Sequence, residues 1–155
     1  MKILIAVDGS QCSDAAVEEV ARRPWPAGSE VEVLSAVEPA PAIAMPEAYV
    51  APEGYYERIE AMHRDRAQAA VEKAVNRIRA AHGAALLVRA EVHPGLPKEV
   101  ILAEAERWKA DLLVVGSHGY RGLMRLWLGS VSHAVASHAR CSVEIVRGHG
   151  TSTAT

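Results

Sequence analysis

Five short runs rich in Val, Ile, Leu and Ala, at 2–8, 30–37, 86–92, 111–116 and 142–146, alternate with segments whose apolar residues recur every three or four positions. No other feature narrows the choice of fold so much. A run such as Ile3-Leu4-Ile5-Ala6-Val7 has no polar alternation, the pattern of a strand covered on both faces. Strands that alternate with helices are joined by right-handed crossovers, and the expected architecture is a single three-layer α/β domain with helices on both sides of a parallel sheet. A chain of 155 residues suits one such domain and is too short for two.

The helical segments carry their own punctuation. Ser13 is the expected N-cap of the first helix, followed by Asp14 and an inward stripe of Ala16, Val17, Val20 and Ala21 that ends before Pro24. A long helix is expected from Tyr55 to His82, with Ile59, Met62, Ala67, Ala70, Val71, Ala74 and Ile78 on one face and Gly83 as its stop. Gly95-Leu96-Pro97 opens a third helix that turns Val100, Ile101, Ala105 and Trp108 inward, and Val131 to about His138 forms a fourth. Pro39, Pro41, Pro46 and Pro52 exclude a helix interior or central strand from 38–54, which is expected to be a long loop and a candidate lid. The domain should end near residue 147, leaving 148–155 as a flexible tail.

Charge excludes some partners. Seventeen Lys and Arg against nineteen Asp and Glu, interspersed along the chain, give no basic surplus for nucleic acid. The first apolar run is cut by Asp8, too early for a signal peptide or a membrane span, so a cytoplasmic protein without a membrane partner is expected. Cys12 and Cys141 stand far apart and form no C-x-x-C pair, the pattern of buried or half-buried thiols.

In an open parallel sheet, ligands bind beyond the carboxyl ends of the strands where the winding direction switches, here between strands one and four. Strand four runs into Gly116-Ser117-His118-Gly119, and nine residues later Gly129-Ser130-Val131-Ser132 opens the last helix. Glycines at a bend permit positive φ and let main-chain amides close on an anion, while a helix N-terminus adds unpaired donors and the positive end of its dipole. Ser130 and Ser132 can offer hydroxyls to phosphate, and Ser130 can equally cap its own helix. His133 occupies the position where a capping box would put a competing carboxylate. Asp8, acceptor-only when ionised, suits a ribose hydroxyl or Mg²⁺, or merely shapes the turn before Gly9. Arg121 and Arg125 can balance phosphate charge but read first as solvated arginines, and Leu123, Met124, Leu126, Trp127 and Leu128 read as packing that seats the loop on the domain ahead of a partner-binding patch.

Competing chemistries lack their motifs. There is no Gly-Lys-Ser or Gly-Lys-Thr, so the lysine that neutralises a transferring phosphoryl group is missing and fast hydrolysis is not expected. No G-x-G-x-x-G follows the first strand, no G-x-S-x-G elbow occurs, and the seven histidines form neither H-x-H nor H-E-x-x-H.

The pattern Gly-x2-Gly-x9-Gly-Ser, here Gly116, Gly119, Gly129 and Ser130, resembles the ATP-binding signature of the universal stress protein family. The likeness extends from Val7-Asp8-Gly9-Ser10 through Gly95-Leu96-Pro97 to Val131-Ser132 and His138-Ala139-Arg140-Cys141, almost the whole chain. It implies an adenine nucleotide alpha hydrolase-like fold with strand order 3-2-1-4-5, and a homodimer paired through strand 142–146. Independently, an uncovered edge carrying Val143, Ile145 and Val146 is an association hazard that two-fold pairing removes. The resemblance further implies Asp8 at the ribose and Ala36 by the adenine, with Val115 and Gly116 touching the nucleotide by backbone. Gly119, Gly129, Ser130, Val131 and Ser132 would surround the phosphates.

The leading expectation is a homodimeric regulator that binds ATP, with ADP or AMP as alternative ligands, without fast hydrolysis. One alternative is a slow ATPase or phosphotransfer enzyme using Asp8-held magnesium and His118 or Ser130. Another is a dimeric interaction protein that binds no nucleotide.

Overall fold

The computed structural model describes residues 1–39, 52–119 and 128–148. Five parallel strands, β1 (Lys2–Ala6), β2 (Glu30–Val37), β3 (Leu87–Pro94), β4 (Leu112–Gly116) and β5 (Ser142–Val146), form one sheet in the order β3-β2-β1-β4-β5. Among the described residues four α-helices lie between them: α1 (Gln11–Arg22), α2 (Tyr55–His82), α3 (Pro97–Trp108) and α4 (Ser130–His138). The three-layer domain and its strand order are therefore as expected, with β1 pairing β2 on one side and β4 on the other.

Successive side chains of a strand point to opposite faces, and the central strands are apolar on both, which builds two cores. Ile3, Ile5, Val31, Val33 and Val114 pack with the α1 stripe of Ala16, Val17, Val20 and Ala21 and with Val71, Ala74, Val75 and Ile78 of α2. Leu4, Leu34, Leu113 and Val115 pack with Ile101, Ala105 and Trp108 of α3 and Val135 of α4. The inner stripe of α2 is shorter than its periodicity indicates, because Met62 is 60% exposed and burial begins at Ala67.

Helix starts differ from the sequence reading. Ser10, in extended backbone, caps α1 by accepting from the Ser13 amide at 3.2 Å, while Ser13 lies within the first turn and its hydroxyl accepts from the Asp8 amide at 3.3 Å. Ser13 was the expected cap, but a serine immediately before the helix has the non-helical backbone that capping needs. Gly83, at φ 55, stops α2 as expected.

One buried pair is foreign to an apolar core. Glu32 is 2% exposed on the α3 side of β2, and burial, together with a hydrogen bond to the Glu104 carboxylate, pushes its carboxyl up to about 8. Glu104 is held below the ordinary glutamate range by its bond to the Arg107 guanidinium. Glu32 therefore keeps a proton that Glu104 receives as a hydrogen bond, so one negative charge rather than two is buried beside Arg107.

Candidate functional site

The carboxyl ends of β1, β2 and β4 open into a cleft of about 450 Å³, within the size range of small-molecule sites. All nine residues singled out from the sequence line it: Asp8 from the turn after β1, Ala36 from β2, Val115 and Gly116 from β4, Gly119 beyond it, and Gly129, Ser130, Val131 and Ser132 at the start of α4. Arg121, Arg125, the apolar cluster from Leu123 to Trp127, and most of the candidate lid lie outside the described residues. Leu128 is described and is 39% exposed.

Of the two roles expected of the glycines, positive φ and close approach, the structure shows the second. Gly116, Gly119 and Gly129 do not adopt positive φ. They are needed because other groups crowd them. A Cβ on Gly116 would lie 2.7 Å from the Cys12 carbonyl carbon and 2.8 Å from the Ser13 amide nitrogen, so its missing side chain lets α1 begin against the end of β4. A Cβ on Gly119 would sit 2.8 Å from Asp8 Oδ2, and one on Gly129 would sit 3.2 Å from the Ser117 carbonyl oxygen. Three backbone segments and the Asp8 carboxylate are thus drawn closer than side chains allow.

Ser117 organises the mouth of α4. Its carbonyl accepts from the Gly129 amide at 2.8 Å and from the Ser132 hydroxyl at 2.8 Å, while its own amide extends the β4–β5 ladder to the Val146 carbonyl at 2.7 Å. The Ser132 hydroxyl, 2% exposed as a residue, also lies 3.0 Å from the Gly129 carbonyl. That hydroxyl is committed to the backbone, so the expectation that it serves a phosphate is corrected, and Ser132 has only its amide to offer a ligand. Ser130 is the first helical residue rather than a cap. Gly129 occupies the cap position, with no side-chain cap bond.

What remains at the helix start is a set of amides. The first intrahelical bond runs from His133 to the Gly129 carbonyl, and the Ser130, Val131 and Ser132 amides have no backbone partner among the described residues. Three donors at the positive end of a helix, facing a cleft and with no acidic residue in the first turn, form an arrangement that attracts anions. Asp8 is held across from them, its Oδ1 accepting from the Ser10 amide at 2.9 Å. Among the described residues no group of three or more His, Cys, Asp or Glu is placed to hold a metal.

The cleft has a wall that sequence reasoning missed. His63, Arg66 and Ala67 of α2 line it, with Ser35 and Glu38 at the end of β2 and Pro97 and Ile101 of α3. The signal was present in the periodicity: His63 and Arg66 each sit four residues before an inward-facing alanine, buried Ala67 and half-buried Ala70, polar groups on a face that should be apolar. His118, at the end of the β4 loop, also faces the cleft, with its Nδ1 3.2 Å from the Ser117 hydroxyl. Among the described residues no helix is long and apolar enough to cross a membrane.

Comparison with known proteins places this geometry in context. Residues 1–147 match the model of the universal stress protein family. A universal stress protein of Methanocaldococcus jannaschii is 32% identical over 146 residues, covering 94% of this chain and 81% of the relative. Among solved structures, a universal stress protein of Lactobacillus plantarum superposes with a TM-score of 0.74 at 24% identity, covering 95% of this chain and 97% of the other. A universal stress protein family protein of Arabidopsis thaliana, solved with AMP bound, superposes with a TM-score of 0.69 at 22% identity, covering 100% and 96%. Matched along nearly its whole length by family model and relative, and sharing the fold of solved members, this chain belongs to the universal stress protein family.

Proposed function

We propose that this chain binds an adenine nucleotide, ATP in the first instance, in the cleft at the carboxyl ends of β1, β2 and β4, and works as a homodimeric cytoplasmic regulator whose contacts change with the bound nucleotide. The observation that carries the reading is the set of Ser130, Val131 and Ser132 amides, without a backbone partner among the described residues, at the mouth of that cleft. Phosphates take those donors, with Gly119 and Gly129 keeping the approach clear, while Val115 and Gly116 contact the nucleotide by backbone. The ribose meets Asp8, which can share a Mg²⁺ with the phosphates, and the base lies toward Ala36. The AMP bound to the Arabidopsis relative supports the same ligand class and keeps ADP and AMP as alternatives.

Hydrolysis is slow or absent on this reading, since no lysine is among the described residues lining the cleft. Dimerisation is proposed through β5, which forms one edge of the sheet with half-buried Val143, Ile145 and Val146. The test is mass analysis of whatever nucleotide copurifies, repeated after incubation with Mg²⁺, together with the solution mass across a range of concentrations. Intact ATP in a dimer is expected. Conversion to ADP supports the slow ATPase instead, and empty extracts without a thermal shift on adding ATP remove the nucleotide reading.

A further inference from the structure

The cleft is polar at one end and mixed at the other. From the start of α4 it crosses the end of β1 to reach β2, roughly 10 Å away across two strand spacings, about the distance from phosphate to base in a nucleotide. At the far end Leu34, Ala36, Pro97 and Ile101 supply flat apolar contacts suited to a ring. The polar side chain of interest there is His63, which α2 brings against the end of β2.

His63 Nδ1 lies 3.3 Å from the Glu38 carbonyl oxygen. A carbonyl oxygen only accepts, so Nδ1 carries the proton in this contact. In the neutral ring Nε2 is then a lone-pair acceptor, and it is the nitrogen left for a ligand. Tautomer and orientation are both set by a backbone atom, which makes the acceptor a fixed feature of the wall.

We propose that His63 is the base-selecting residue of the nucleotide site, its Nε2 accepting from the exocyclic amino group of adenine and rejecting a base with a keto oxygen at the same position. The proposal rests on the nucleotide reading above and adds the source of its base preference. An amino group satisfies Nε2, whereas a keto oxygen sets two acceptors against each other and leaves both without a donor. Neither composition nor the glycine pattern carries this, because the glycine loop reads only charge.

The experiment is calorimetric titration at pH 8 with ATP and with ITP, which differs from ATP at that position by a keto oxygen in place of the amino group. The unmodified chain is expected to bind ATP about tenfold more tightly than ITP, the factor that one hydrogen bond of ordinary strength supplies. His63→Ala, and His63→Phe, which keeps an aromatic ring without ring nitrogens, should both bring the ratio close to one by weakening ATP while ITP changes little. Equal binding of ATP and ITP by the unmodified chain, or an undiminished preference in both variants, overturns the role of His63 and leaves nucleotide binding standing. Failure of the unmodified chain to bind either compound overturns both readings.

Discussion

Replacing Glu32 with Gln should make the protein more stable in mild alkali and leave it nearly unchanged in mild acid. In the unfolded chain a glutamate ionises near 4.5, whereas in the fold Glu32 holds its proton up to about 8. Between those values the folded state carries a proton that the unfolded chain has lost, so stability falls as pH rises and the loss is complete above the folded value. At 1.36 kcal/mol for each pH unit across that interval, the ceiling is roughly 5 kcal/mol, a large share of the stability of a domain this size. Glu104 acts with the opposite sign. Its lowered value, caused first by Arg107, contributes stability above the ordinary glutamate range that is lost as pH falls through the lowered value, and it stays constant in neutral and alkaline solution.

Glutamine reproduces the protonated carboxyl, since its amide can donate to Glu104 as the Glu32 proton does, and it has nothing to ionise. Other groups on this face, Glu91 and His93 of β3 and Arg107 of α3, are common to both proteins, so the difference between variant and parent isolates Glu32. Urea unfolding at about pH 5 and about pH 8.5, with the slope checked for constancy, is the assay. The expected gain for Glu32→Gln is about 2–4 kcal/mol at the higher pH, with little or none at the lower. Parallel pH curves for the two proteins, or a less stable variant at the higher pH, would show that Glu32 is already ionised in the fold.

Gly116→Ala should lower stability by about 1–3 kcal/mol, read as a fall in melting temperature, because the new methyl meets the backbone of Cys12 and Ser13 rather than a side chain that can turn aside. An unchanged melting temperature would mean that α1 moves freely against β4. Ser10→Ala removes the α1 cap and should cost about 1 kcal/mol in urea unfolding, more than the same change at Ser13 if the cap lies where the geometry places it. His133→Glu puts a carboxylate at the mouth of α4 and should weaken ATP binding several-fold in a direct titration, an effect reduced by salt. Unaltered affinity at low salt would remove the helix start from the phosphate site.

Much of this molecule could be read without coordinates. Local composition governs strands and helices where burial is one-dimensional: Ile3 to Ala6 has no polar face to show solvent, and Ala16, Val17, Val20 and Ala21 share one helical side. That the nine singled-out residues would line one cleft was legible for a similar reason, since a strand end, the three glycines Gly116, Gly119 and Gly129, and a helix start must lie together in a parallel sheet whatever the side chains elsewhere. Their physical roles were less so. The glycines were read as permitting both positive φ and close approach of the backbone, and whether a glycine bends the chain or admits a neighbour depends on what stands opposite, as Cys12 and Asp8 do here.

Contacts between residues distant in sequence were decided only by the tertiary structure. Ser132 lost its hydroxyl to the Ser117 carbonyl fifteen residues earlier, and Glu32 found Glu104 seventy-two residues later, a proton shared across β2 and α3 that no local pattern reveals. The wall of His63 and Arg66 belongs to the same class, because α2 must dock on the sheet before its polar residues acquire a cleft to face. Periodicity is a property of neighbours along the chain and determines which side of each element is buried; hydrogen-bond partners and charge environments are properties of neighbours in space, and come into being only when the elements pack.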